Sequence, residues 1–587
     1  MKKKWRFSID RGGTFTDIIG RVPDGPLLPF KVLSGSGVKG ITPVFETLRK
    51  VIGLKKTDRL SVEHIEEIRL GTTLGTNALL ERRGSKTAFL VTRGFEDILR
   101  IGHQTRPSLF KLQIKDRIQL YENCYGLEER INYKGFVISP IDIVRLKNVL
   151  GHIKSLGNKS LAIAFMNSYK NPIHEIFAKE IALDLAFDHV SVSHEVSSLI
   201  GFVDRCSTTV VDAYLTPTIN KYVSALREFT GDIPLKIMQS NGGLVYANKF
   251  RGKDSILSGP AGGVVGAIET ARLTGRERII CFDMGGTSTD VAHSTGTPEY
   301  RSKTEIDNIT IVAPMVDIHS VAAGGGSVVS FDGIRLKVGP ASAGCYPGPA
   351  CYGNGGPLTI TDCNLLLGFL NPDYFPKCFG KENNLGINRG IVVGRFKDLI
   401  VSEKSQDNLN MNIYQIAEGF IKIANEKMAS AIKAISINKG HDIRLYSLQC
   451  YGGAAGQHCC DVADLLGIKE ILVNRNASVL SAIGISFAKI KKIAEESIEE
   501  IFSENQIRVL IKKFMSLEKK ITNQMRAGDS IKRQLLFKKF VNLKYSGTTE
   551  VILVDFTDWH NMRKNFLAIF KMQFGFTESA KDIIVSS

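Results

Sequence analysis

Nowhere does this chain of 587 residues run to the roughly 18 consecutive apolar side chains that a bilayer-crossing helix needs, so no membrane span is expected. It also lacks a paired Cys-x-x-Cys spacing. The ten cysteines are scattered, and the only close arrangements are Cys345 and Cys351 in "GCYPGPAC" and the pair Cys459–Cys460 in "QHCC". Neither has the spacing of a structural zinc site. Disulfide frameworks are typical of short secreted domains, and no apolar segment follows "MKKKWR", because Asp10 and Arg11 interrupt the first strand. Reduced thiols and a cytoplasmic location are therefore expected. A basic arm is missing as well: 76 Lys+Arg against 59 Asp+Glu give a formal charge of +17, but the excess is spread along the chain. No basic stripe carries interleaved aromatics, so neither nucleic acid nor a membrane surface is expected as a partner.

What is present is enough apolar material for a large core, 43% of residues, in a chain long enough for several domains. From Trp5 to about Ser207, strand-like runs ("KTAFLVT", "KSLAIAFM") alternate with amphipathic helical ones ("HEIFAKEIALDLA"), the pattern of α/β layering. "DAYLTPTINKYVSALREF" reads as a helical connection broken at Pro217, after which "LKIMQSNGGLV" opens a second α/β region. Glycine is densest from Ala322 to Gly356, in runs that alternate with "SVVSF" and "IRLKV", which favours ordered loops near a site. Composition shifts near Lys491: the remainder is charged, helical to about Arg533, then strand-like in "FVNLKYSGTTEVILVDF". The expected units are residues 1–210, 211–490 and 491–587.

One skeleton occurs twice. "FSIDRGGTFTDII" and "CFDMGGTSTDV" both read Asp-x-Gly-Gly-Thr-x-Thr-Asp, and their first aspartates, Asp10 and Asp283, are 283 − 10 = 273 residues apart. That is duplication at domain scale. Glycines without a Cβ let backbone N–H groups close on an anion, and threonine hydroxyls donate further hydrogen bonds. An aspartate at the strand end can hold Mg²⁺, directly or through water, with the metal bridging phosphate oxygens. Two such hairpins facing each other could clamp a nucleotide's phosphates from opposite sides.

This spacing resembles the actin-like ATPase superfamily. The resemblance implies an α/β fold of duplicated ribonuclease H-like domains, and a third glycine-rich element for adenosine that "CYGGAAGQH" fits. The ordered set "IDRGGTFTD", "LGTTLGTNALLERRG", "VTRGFEDILRIGHQTRP", "SGPAGGVVGA", "FDMGGTSTDV", "VAAGGGS", "GPACYGNGGPLTITDCNLLLG" and "YGGAAGQH" spans nearly the whole chain. Together these motifs are similar to the hydantoinase A and 5-oxoprolinase family, closest to the ATPase half of 5-oxoprolinase. The tail resembles that family's small C-terminal α+β domain.

The resemblance implies ATP-dependent ring opening of 5-oxo-L-proline, or a related cyclic amide, to L-glutamate, with ATP and Mg²⁺ as cofactors. Asp10 and Asp283 would organise the metal, with Asp17 and Asp290 as base or supporting ligands. Gly12, Gly13, Thr14 and Thr16 would approach the phosphates from one side, and Gly285, Gly286, Thr287 and Thr289 from the other. Gly452, Gly453 and Gly456 would flank adenosine, while Thr72, Thr73, Asn77, Arg106 and "AAGGGS" are weaker candidates for the substrate cleft. A hydantoinase B-like subunit or domain would supply the hydrolytic half, within an oligomer. The chain departs from the family pattern at Ala455, where a glycine is usual, at Cys345 and Tyr346, and at Lys111. Two other readings compete: an ATPase subunit of a hydantoinase or ketone carboxylase, and a nucleotide-binding scaffold without catalysis.

Overall fold

The computed structural model describes residues 4–12, 15–22, 25–34, 41–105, 110, 112, 117–377, 379, 384–404, 411–526 and 535–587. Its frame is two mixed sheets built to one plan. In the first, Trp5–Arg11 pairs antiparallel with Phe15–Arg21, which pairs antiparallel with Leu28–Leu33. On the other side of Trp5–Arg11 lie the parallel strands Ile65–Thr72 and Leu235–Met238, then the edge strand Leu244–Tyr246. In the second, Arg278–Met284 pairs antiparallel with Thr289–Thr295, followed by Ile318–Val321. Ser447–Tyr451 and Glu470–Val473 continue it in parallel. Counting strands in order within each unit, both sheets share a 3-2-1-4-5 core in which only the second strand is reversed, the ribonuclease H-like arrangement, and the first sheet adds the antiparallel Leu244–Tyr246 at its edge. The first sheet takes its last two strands from beyond residue 210, the end of the first unit expected from sequence.

A separate parallel sheet of four strands, in the order His189–Val192, Ser160–Ala164, Thr87–Thr92, Asn123–Leu127, is inserted between strands of the first sheet. The chain returns from it through helix Phe202–Thr230, which runs unbroken past Pro217. A proline inside a helix removes the hydrogen bond to the carbonyl four residues back. Here the Ser160 hydroxyl donates to the Ala213 carbonyl at 2.6 Å, and the Ser85 amide donates to Tyr214 O at 2.9 Å. Tertiary donors thus satisfy the exposed acceptors, and the break expected from sequence does not occur.

The two sheets meet across helices Ser258–Arg272 and Leu480–Phe487. Their backbones touch: a Cβ on Gly484 would lie 1.9 Å from the Gly262 carbonyl oxygen. The second sheet packs Ile280, Phe282 and Leu448 against helix Ile413–Ile435, whose Ile416, Phe420 and Met428 are fully buried. The last unit is a four-stranded sheet (Glu500–Ile501, Ile583–Val585, Phe540–Tyr545, Ile552–Asp555) with helices Gln506–Arg526 and Trp559–Phe574, an α+β domain. Arg533, where helix was expected to end, lies outside the described residues. Among them, no helix is long and apolar enough to cross a membrane, and every cysteine is free.

Candidate functional site

The duplicated motif forms two hairpins that match residue for residue. Asp10 pairs with Asp17 across the first, and Asp283 with Asp290 across the second. The Gly12 amide donates to Phe15 O at 3.0 Å, and the Gly285 amide to Ser288 O at 3.0 Å, so both turns close with the same bond. Because neighbours across a sheet share a face, each hairpin presents two carboxylates side by side.

These acids lie close enough for their charges to act on one another. Burial raises Asp10 to about 7, with the Asp17 charge adding to the shift and Lys31 opposing it. Asp283 is pushed well above the usual carboxylate range, by burial first and then by the charges of Asp290, Asp10 and Asp17. Carboxylates of the second hairpin therefore feel those of the first. Asp290 is raised to about 6 by burial, against a hydrogen bond from Ser320. Asp10 Oδ1 is buried with no hydrogen-bond partner among the described residues. A buried oxygen without a donor, among like charges, fits a divalent cation, whose field would lower all four carboxyls.

Close approach explains several glycines around the acids. A Cβ on Gly71 would sit 2.8 Å from Asp10 Oδ1, and one on Gly259 3.4 Å from it. Gly452 has φ +87°, and its Cβ would meet Asp283 Oδ1 at 2.2 Å and Met284 O at 2.6 Å, so only glycine fits. The Ala454 amide donates to Met284 O at 2.9 Å, fastening the third glycine-rich element to the second hairpin. A Cβ on Gly453 or Gly456 would meet nothing within 4 Å, so both face open space. Ala455, where the resemblance leads one to expect glycine, is fully buried in the hydrophobic core of the second unit.

Strand alternation sorts the hydroxyls. The pleat that sets Asp17 and Asp290 beside Asp10 and Asp283 turns Thr16 and Thr289 away. Thr16 is buried against the Ser34 hydroxyl at 2.8 Å, and Thr289 donates to Ala323 O, so neither hydroxyl faces the phosphates assigned to it from sequence. Gly286 and Thr287 are exposed at the second turn. Gly13, Thr14, Arg106 and Lys111 lie outside the described residues. Thr73 sits beside the first hairpin, its amide 3.4 Å from Arg11 O and its hydroxyl 3.4 Å from Asn77 Nδ2. Thr72 is buried and accepts from the Leu74 amide at 3.1 Å. The "AAGGGS" loop backs the second turn: the Gly325 amide donates to Gly285 O at 3.0 Å, and that of Gly326 to Gly286 O at 2.6 Å.

Sequence reasoning passed over the third strand of each hairpin. Lys31 is the cross-strand neighbour of Asp17 and Ser320 that of Asp290, so one position holds a cation in the first copy and a hydroxyl in the second. Lys31 Nζ lies 2.5 Å from Asp17 and 3.4 Å from Ser478 O, which joins the first hairpin to the second unit. No motif marks either residue. A further cluster, His293, Glu299 and His441, brings ligand atoms within 4.8 Å of one another. Its two imidazoles stack at 4.1 Å and 21°, which keeps their in-plane lone pairs from converging on one ion.

Comparison with known proteins agrees with this architecture. Residues 6–186 match the hydantoinase/oxoprolinase N-terminal region, and residues 205–494 match hydantoinase/oxoprolinase. A 5-oxoprolinase of Saccharomyces cerevisiae is 38% identical over 99% of this chain and 48% of its own length. The caprolactamase subunit alpha of Pseudomonas jessenii is 33% identical over 82% of this chain and 70% of its own. The crystal structure of ATP-dependent caprolactamase from Pseudomonas jessenii superposes with a TM-score of 0.83 at 28% identity, covering 99% of this chain and 87% of that one. The chain spans about half the length of the 5-oxoprolinases it matches. With its paired ribonuclease H-like sheets and duplicated acidic hairpins, the chain belongs to the hydantoinase/oxoprolinase family.

Proposed function

We propose that this chain is the ATP-using half of a cyclic amide hydrolase, with 5-oxo-L-proline as substrate and L-glutamate as final product. One observation carries the reading: two hairpins of identical register bring mutually repelling carboxylates close together. Asp10 and Asp283 would hold Mg²⁺, a role that fits the buried, unpartnered Oδ1 of Asp10. Gly12, Gly13 and Thr14 on one side, and Gly285, Gly286 and Thr287 on the other, would offer backbone and hydroxyl donors to the phosphates. Gly452, Gly453 and Gly456 would make room for adenosine.

When bound, Mg-ATP supplies an electrophilic phosphoryl group. An unstrained lactam resists water, and transfer of that group to its amide oxygen would turn the ring carbon into an electrophile. The residues of this chain position the two reactants and offset charge on the phosphates. Asp17 or Asp290 would accept or relay a proton beside them, since burial holds both above the usual carboxylate range. Water attack is assigned to a hydantoinase B-like subunit or domain. The half-length match to 5-oxoprolinases and the name of the caprolactamase subunit support that division.

The likeness to caprolactamase favours a second reading, with a different lactam in the same cleft. Phosphate release from Mg-ATP, assayed with 5-oxoproline and with caprolactam, separates the two. Stimulation by 5-oxoproline supports the first, stimulation by caprolactam alone supports the second, and stimulation by neither would refute both.

A further inference from the structure

On the side of the molecule where all three units meet lies a cavity of about 1350 Å³ whose lining includes ten Lys and Arg residues. Arg251 and Lys253 come from the segment that follows the edge strand of the first sheet. Lys489, Lys491 and Lys492 come from the stretch after helix Leu480–Phe487, and Lys520 from helix Gln506–Arg526 of the last unit. Arg69 and Lys236 also line it, but both are bound to Glu67.

The acids on the wall are already engaged. Glu195 is shared by Lys179 at 2.7 Å and Arg251 at 3.1 Å, and Asp254 is held by Lys253 at 2.8 Å. Glu495 accepts from Asn542 at 2.8 Å and from the Ser587 hydroxyl at 2.6 Å. Among the described residues, Lys489, Lys492 and Lys520 make no ion pair, although the Asp254 charge acts on Lys492. Lys491 spends its ammonium on the Tyr300 hydroxyl at 2.5 Å, a neutral partner. Burial lowers Lys491 to about 8, with Lys538 adding to the shift. Lys492 is also lowered, by burial and then, against the pull of Asp254, by Lys253, Arg251 and Lys520. Desolvated like charges with their counter-ions spent elsewhere destabilise one another, and a bound anion would reverse that sign.

We infer that this cavity is a binding site for a small, multiply charged anion, a phosphate or polycarboxylate, which bridges the segment after Leu480–Phe487 and the C-terminal domain through Lys489, Lys492 and Lys520. Cations without an ion pair on two elements suit a ligand with more than one negative charge, which can meet both. The site is distinct from the cleft, lined by none of the hairpin residues. Its anion would act as a tie between units.

The test is isothermal titration of the full chain with inorganic phosphate and with citrate, at an ionic strength held constant with sodium chloride. The expected result is saturable one-site binding of at least one of the two, retained in Asp10→Asn and weakened about tenfold or more in Lys492→Glu/Lys520→Glu. Lys492→Gln, which removes one charge without reversing it, should weaken binding less than the double variant. Circular dichroism of each variant in chloride alone verifies the fold. No binding beyond the chloride control, or binding that is lost in Asp10→Asn but survives in the double lysine variant, would overturn the assignment.

Discussion

Asp10 is a residue whose burial works against the protein that carries it. Its folded value of about 7 lies above the ordinary 3.8, so the folded chain binds the proton more tightly than the unfolded one. Stability from this group is therefore present at low pH and lost as pH rises between about 4 and 7. In the absence of nucleotide, Asp10→Asn should raise the melting temperature at about pH 8 and make no difference below about pH 4. The same substitution should lower Mg-dependent phosphate release by ~100-fold or more. A stabilised yet inactive variant separates a site acid from a structural one, because loss of a structural acid would lower both. Ala455 makes the opposite case. Its methyl is buried in the core, so Ala455→Gly should cost about 1 kcal/mol in urea unfolding and leave nucleotide affinity unchanged. Gly452→Ala should abolish affinity, since its Cβ would press on Asp283 Oδ1.

At the scale of elements, the hairpins were legible in the sequence because their chemistry sits in contiguous letters: an acid, two glycines, and a second acid seven residues after the first. The face each letter takes was legible only in part. Strict alternation places Thr16 opposite Asp17 and Thr289 opposite Asp290, and the phosphate-loop resemblance overrode that simpler rule. Lys31 and Ser320 were illegible because they join the hairpins through strand pairing, which leaves no local pattern. Pro217 was misread for the same reason: the donor that preserves its helix, Ser160, is 53 residues away from Ala213. Ser160→Ala should leave the Ala213 carbonyl buried and unpaired, and destabilise the fold by about 1–3 kcal/mol. Chemical denaturation measures this, and a cost near zero would mean that the helix tolerates the proline without help.

At the scale of the molecule, the proposed function depends on two halves of one duplication closing around a shared ligand. The two hairpins would remain separate acidic turns without the glycine contact between helices Ser258–Arg272 and Leu480–Phe487, which brings their sheets together. The most direct test is equilibrium titration of a non-hydrolysable ATP analogue into the full chain, with and without Mg²⁺, compared with Asp10→Asn and Asp283→Asn. A ligand that binds only the native state should also raise the melting temperature, by an amount equivalent to about 2.7 kcal/mol at a hundredfold excess over Kd. Mg-dependent binding is expected, and either substitution, one in each copy of the motif, should reduce it to the metal-free level. Binding that ignores Mg²⁺, or that survives loss of one aspartate while depending on the other, would contradict a site shared by both hairpins.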